Sequence, residues 1–436
     1  DNAGKQNEEF WNEYRVAPLD SKELKTYHVI DSIGKEEKFE QKLAALSAFV
    51  NGRWRYKWID FDLNRIMSFN IYEGFRLGVG AHTNYKLLDW LSVGGYVAYG
   101  FKDQRFKYNY EADIFLDKAG RFSLNGGYVF DIEQTGSQQF NLNNRSRSLF
   151  RIDYRNLNQQ QFDEVSKVYF NLNWNIFPNL HSRLFVNRQN RLVKEIDYRF
   201  VESTNDGVYL VNGFNTTQVG VALRWAPNDK YMEGPFGRRP IDLSYPVYKI
   251  QYTRGVPDVW GSNYEFDKID VAIEYRFKTK RFGESKFELA GGYVHGELPY
   301  SLIYTSVANR PVNVNWPVQP AGMYAFETMF NNEFISNAWA HFVFRQNFKG
   351  YLFKIGKFNP HVEWMFGATF GSLNNPEQHQ NVEFKTLEKG YYETGIEFNK
   401  IYQGLGVGFY YRMGPYQLPK QIDNFSIKFT ARLDFF

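Results

Sequence analysis

The chain has 436 residues and a formal net charge of +4, from 52 Lys and Arg against 48 Asp and Glu; the charges are spread evenly, which argues against a nucleic-acid surface. Aromatic residues make up 19% of it, with 41 Phe, 31 Tyr and 10 Trp, yet mean hydropathy is −0.52, and no window approaches the roughly 18 consecutive apolar residues a membrane helix needs. Cysteine is absent, which excludes disulfides and thiolate metal sites.

The N-terminal segment is polar. No apolar stretch follows Asp1–Glu9, so a signal peptide is not expected and a mature or trimmed chain is. Phe39, Leu43, Leu46 and Val50 recur at helical spacing in a Glu/Lys background, and 21–33 can form a second short helix. Residues 1–60 are therefore expected as a helical lead-in. It could cap a barrel mouth on the periplasmic side, or act as a plug or membrane-surface helix.

Strands are expected from about Leu63. The first informative one is Asn70-Ile71-Tyr72-Glu73-Gly74-Phe75-Arg76-Leu77-Gly78. On a regular strand Glu73 and Arg76 fall on opposite faces and do not pair with each other. Gly74, Gly78 and Gly80 share one face and leave room for a loop or a lumenal side chain. Two readings stay open: a rim charge pair with barrel-bending glycines, or a weak seam able to part from the C-terminal strand.

Period-two stripes then recur. Val168, Phe170, Leu172, Trp174 and Ile176 form one; Val219, Val221, Leu223 and Trp225 another; Ile269, Val271, Ile273, Tyr275 and Phe277 a third. Val362, Trp364, Phe366, Ala368 and Phe370 follow, then Leu405, Val407, Phe409 and Tyr411. Polar stretches at 133–147, 203–217, 227–246, 295–321 and 371–390 read as loops, and the one at 227–246 contains Gly237-Arg238-Arg239-Pro240. Gly296-Glu297-Leu298-Pro299-Tyr300 reads as a rigid turn that either enters the lumen or caps the outside.

The chain ends on Phe425, Ile427, Phe429, Ala431, Leu433 and Phe435 alternating with Ser426, Lys428, Thr430, Arg432 and Asp434, with Phe436 last and in the polar phase. A chain rich in aromatics but polar on average, built of such stripes, fits a membrane barrel whose strands average a greasy and a polar face. The expectation is an all-β, transmembrane antiparallel β-barrel over 61–436, with about sixteen strands favoured by even-numbered closure. Glu73, Gly74, Arg76, Gly78, Phe435 and Phe436 are the candidate seam, and Arg238 and Arg239 a candidate loop.

Catalysis finds little support. Seven His occur, none in a metal-binding helical pair, and no GxSxG, Walker or dinucleotide pattern appears. His361 and Glu363 share a strand face and could form half of a lumenal site or a solvated contact. No enzyme, no cofactor and no metal are expected.

Phe10-Trp11 with Arg15, Pro18-Leu19, Glu23, Tyr27 and Asp31-Ser32-Ile33 forms a spaced pattern, which continues through 70–78, Tyr99-Gly100-Phe101-Lys102-Asp103 and 296–304. It resembles the Bacteroidota outer-membrane proteins of unknown function whose full-length members carry a carboxypeptidase-regulatory-like domain before the barrel. That domain is absent here, as in a fragment or short member. The group is in turn distantly similar to the sixteen-stranded outer-membrane assembly and secretion barrels, through Glu73-Gly74-x-Arg76-x-Gly78 and the closing Phe strand. Two departures stand out: the 237–240 loop lacks the aromatic of that superfamily's Arg-Gly-aromatic motif, and no repeated periplasmic domains precede the barrel. The resemblance implies a bacterial outer-membrane location, with lipid and other envelope proteins or an assembly complex as partners. It implies a role in placing outer-membrane or surface proteins. The alternative is a passive channel for small solutes, and a plugged lumen separates the two.

Overall fold

Alternation of apolar and polar side chains dictates the architecture. The computed structural model describes residues 48 and 52–431 apart from 118–120, 137, 139, 143–154, 176, 178, 195, 205–206, 235–236, 243–244, 314–318, 353, 355–357 and 403. One 18-stranded antiparallel sheet dominates. Its strands are β1 (Arg53–Tyr56), β2 (Ile59–Asp62), β3 (Met67–Asn70), β4 (Gly74–Thr83), β5 (Leu91–Gly100) and β6 (Arg105–Phe115). Then come β7 (Phe122–Gln134), β8 (Phe162–Trp174), β9 (Leu180–Val193), β10 (Gly213–Trp225), β11 (Val247–Gly255) and β12 (Phe266–Thr279). The last are β13 (Gly283–His295), β14 (Ala338–Asn347), β15 (His361–Ser372), β16 (Tyr391–Tyr402), β17 (Leu405–Met413) and β18 (Phe425–Ala431). From β4 onward each strand pairs with the next in sequence.

The faces are those of a barrel in lipid. Phe75, Leu77 and Val79 on β4 and Phe425 and Ile427 on β18 are exposed, whereas Arg76, His82, Lys428 and Thr430 between them are buried. A water-soluble sheet would bury the first set. Here the apolar band faces outward and the charges line the interior, as in outer-membrane barrels.

The sheet has eighteen members where about sixteen were expected, and the difference lies at its start. β2 and β3 lie one after the other along β4, pairing with 81–83 and 74–77. A 3₁₀ turn at Leu63–Arg65 separates them, and β1 folds back on β2. The turn packs on the inner face, where Gly78 and Gly80 admit it. A Cβ on Gly78 would sit 2.7 Å from the Ala98 Cβ and 2.9 Å from the Arg65 carbonyl oxygen. The Arg65 guanidinium stacks 3.9 Å from the Tyr96 ring centroid. Among the described residues sheet structure thus begins at Arg53, ahead of Leu63; the helix expected at 21–33 lies outside the described residues, and of the one around Phe39–Val50 Ala48 alone is described, as helical.

Strand polarity sorts the connections into two ends. The long segments 135–161, 194–212, 296–337 and 373–390 share one end, and the two-residue link 403–404 lies at the other. Barrels of this class keep short turns on the periplasmic side and long loops outside. The exceptions are 348–360 and 226–246, whose hairpin (Lys230–Gly234 with Gly237–Asp242) is at the short-turn end. All five expected loops are partly strand: β7 runs through Gln134, 203–217 holds a hairpin arm and the start of β10, and 227–246, 295–321 and 371–390 carry short strands of their own.

The hydrophobic core lies inside the sheet, around the segment 296–337. Tyr300, Ile303, Phe326, Met329, Phe334 and Ile335 of that segment are fully buried against inward residues such as Phe214, Ala290 and Tyr391. Replacing Gly78 by Val is expected to push the 3₁₀ turn off the wall and destabilise the barrel by about 1–3 kcal/mol. A lower temperature for the folded-to-unfolded band shift on semi-native gels checks this, with the lipid-facing Val79→Leu variant unchanged.

Candidate functional site

Two inner-wall features are candidate sites: the turn that opens β4, and the contact between the lumenal segment and the last strands.

Glu73 sits in a turn, not on the strand. Gly74 follows it with φ +67°, a left-handed conformation suited to glycine, so strand alternation does not reach Glu73. The expectation that Glu73 and Arg76 do not pair is therefore corrected: both turn inward, with Arg76 Nη1 3.4 Å from Glu73 Oε1. Glu73 also takes Lys107 Nζ at 2.9 Å and Asn70 Nδ2 at 2.7 Å. Arg76 forks onto Asp131 at 2.7 and 2.9 Å, and the Tyr96 hydroxyl donates to the same carboxylate. Lys107 pairs with Asp103 as well. This network fastens the β3–β4 turn to β5, β6 and β7.

Glu73, Gly74, Arg76 and Gly78 are thus brought together, and apart from Asn70 on β3 the charged ties run into β5, β6 and β7. Phe435 and Phe436 lie outside the described residues. Arg238 and Arg239 fall on the hairpin strand Gly237–Asp242, at the opposite end of the barrel from Glu73.

The second feature was not foreseen as a site. Segment 296–337 enters the lumen and is gripped from many sides. Arg191 on β9 donates to the Ser301 carbonyl at 2.9 Å, and the Tyr304 hydroxyl donates to Asp270 on β12 at 2.9 Å. Grip is strongest on the last strands. Glu393 on β16 accepts the backbone N–H groups of Glu327 and Thr328 at 2.7 and 2.8 Å. Arg412 on β17 forks onto Glu333 at 2.7 and 3.0 Å, and Lys385 reaches the same carboxylate at 2.9 Å. Lys428 on β18 donates to the Asn309 carbonyl at 2.9 Å and to Gln319 Oε1 at 2.5 Å. Glu327, on the segment itself, accepts from Gly322 N at 2.7 Å and Asn309 Nδ2 at 2.6 Å. Burial pushes its carboxyl up to about 8 against the opposing pull of Lys428.

The backbone of β18 is engaged too. Phe429 N–H donates to the Gln319 carbonyl at 2.8 Å, and Ala321 N–H donates to the Phe429 carbonyl at 2.8 Å. Pro320 and Phe429 thereby form a parallel β-bridge. Among the described residues, no ladder joins β18 to β1, β2 or β3.

His361 and Glu363 do share a face of β15, but Glu363 takes Arg345 Nη1 at 2.8 Å and Asn347 Nδ2 at 3.1 Å. Among the described residues no group of three His, Asp or Glu side chains could hold a metal.

This geometry defines a class: a β-barrel of the bacterial outer-membrane type with a segment of its own chain folded into the lumen. Residues 49–386 match the family of unknown function (DUF5686) C-terminal domain, and the chain belongs to that family. A comparison with curated proteins finds no match. Among solved structures, BamA from Haemophilus ducreyi lacking POTRA domains 1–3 is similar at a TM-score of 0.51 and 10% identity, over 85% of this chain and 68% of that one. CdiB from Acinetobacter baumannii aligns at a TM-score of 0.40 and 12% identity, over 83% of this chain and 57% of that one. The likeness to BamA is one of fold.

Glu333→Gln would leave the buried Arg412 without its carboxylate, a loss of about 3–5 kcal/mol. Faster amide exchange across 326–336, with the strand core still protected, is the expected result. A pH effect arises in the long loops, where His379 packs among Tyr198, Phe200 and Phe384 and burial holds its pKa down to about 4. The unfolded loop binds the proton first, so packing is fully stable above the ordinary value near 6.5 and is lost as pH falls toward 4. About 2 kcal/mol is forfeited at pH 5; limited proteolysis at 373–390 should accelerate there, and His379→Gln should remove the pH dependence.

Proposed function

We propose that this protein sits in the bacterial outer membrane and helps to place other outer-membrane or surface proteins, as an accessory of an envelope assembly system. The observation that carries this is the filled lumen together with the backbone contact between 319–321 and β18. A barrel for passive conduction needs a wet path along its axis. Here fully buried aromatic and aliphatic side chains of 296–337 occupy it. The outward apolar band supports the membrane location, and the BamA-like fold is compatible with an assembly role. Its partners would be lipid and other envelope proteins, and no catalytic residue is assigned.

Conditional depletion in the native host, followed by quantitative proteomics of outer membrane and cell surface, tests the role. Several unrelated barrels or surface lipoproteins should fall before growth stops. An unchanged envelope proteome, combined with steady conductance of the purified barrel in planar bilayers, would instead establish the solute channel.

A further inference from the structure

We infer that a polar cavity inside the barrel, walled by β8–β12 and bounded by Ser301 and Leu302 of the lumenal segment, binds a saccharide. The inference does not depend on the assembly role proposed above.

Strand register builds the wall. Inward positions on neighbouring strands set Lys167 beside Gln189, Asn187 beside Gln218, and Thr253 beside Lys268. All six line the cavity. Gln189 lies near the end of β9 that leads into 194–212, so the cavity is on the long-loop side. Phe266 supplies an apolar face. Its ring lies across Gly255, the partner of Gln218, where any Cβ would collide with it.

The cavity holds polar groups that the fold leaves unpaired. Asn187 and Gln189 are more than nine-tenths buried. The Asn187 side-chain oxygen has no hydrogen-bond partner among the described residues, and neither has Arg191 Nε. The Gln189 amide makes no hydrogen bond among them either. Folded proteins rarely leave buried amides in this state, which points to a partner that enters the cavity.

The mixture of open groups selects the class of partner. Amide oxygens need donors. Lys268 has N–H groups to give, since it donates to the Leu302 carbonyl at 3.3 Å and otherwise faces the Tyr304 ring. An oxyanion only accepts, so it leaves the amide oxygens unsatisfied. A hydroxyl both donates and accepts, and a pyranoside carries several around a ring whose C–H face suits Phe266. Charge gives an anion no advantage, because Glu133 shares the lining with Lys167 and Arg191 and pairs with both. Arg191 and Lys268 also hold Ser301 and Leu302 in place. A bound sugar therefore rests between the wall and the lumenal segment.

The full chain is purified in an amine-oxide detergent, which carries no sugar headgroup to compete. Saturation-transfer NMR is then recorded with methyl glucoside, methyl galactoside, methyl mannoside and N-acetylglucosamine. Saturation should reach the ring protons of at least one of the four. Titration of that sugar should give a Kd at least tenfold weaker in Asn187→Leu and Gln189→Leu, with the lipid-facing Val79→Leu unchanged. Each variant must keep its folded band on semi-native gels; if Asn187→Leu does not, Gln189→Leu decides. No transfer to any of the four sugars overturns the inference and leaves the cavity to water. Equal affinity in Gln189→Leu overturns it too, since the sugar then binds elsewhere. So does broadening of the phosphorus line of inorganic phosphate, abolished by Lys268→Met, while the sugars stay silent: the cavity is then an oxyanion site.

Discussion

Backbone hydrogen bonding in a medium without water is the constraint on which this structure depends. Each N–H and C=O in hydrocarbon must be paired within the protein, so a membrane sheet has to bring its two edges together or give them other partners. The wall from β4 to β18 meets this by sequential antiparallel ladders. The two ends meet it less regularly. At the start, one strand's length is divided into β2 and β3 by a 3₁₀ turn that rides over Gly78 and Gly80. At the finish, Phe429 turns to a segment from the lumen.

The charged interior follows from the same economy. The inward carboxylates and cations that face segment 296–337 on the last strands are removed from bulk water, so each must find a counter-charge or a backbone group. Glu393 does this with two amides, Arg412 with Glu333, and Arg345 with Glu363 and Glu397. Buried pairs of this kind add little net stability when formed and cost much when broken. What they specify is register: Arg412 engages both oxygens of Glu333. The Glu73–Arg76–Asp131–Lys107 network does the same for the β3–β4 turn.

Much of the wall is legible in the sequence because membrane strands alternate strictly. The stripes at 219–225, 269–277, 362–370 and 405–411 lie within β10, β12, β15 and β17. Glu73 was misread because alternation was extended through a turn whose left-handed glycine breaks it. The lumenal site was illegible for a different reason. Lys428 and Arg412 are visible as polar residues on greasy strands, but their partners Gln319 and Glu333 lie in a segment without period. Contacts between residues about a hundred positions apart leave no local pattern. The motif 296–304 marked the right segment, and only its burial shows that it fills the interior rather than caps it.

Chain order gives the lumenal segment a further meaning. Residues 296–337 precede the strands β14–β18 that grip them most firmly. The final third of the wall is therefore a casing whose mandrel comes before it in the chain. Its inward residues can settle into register only against a shape that is present before them. The last strand is held on one side by its ladder with β17 and on the other by a single bridge to the mandrel.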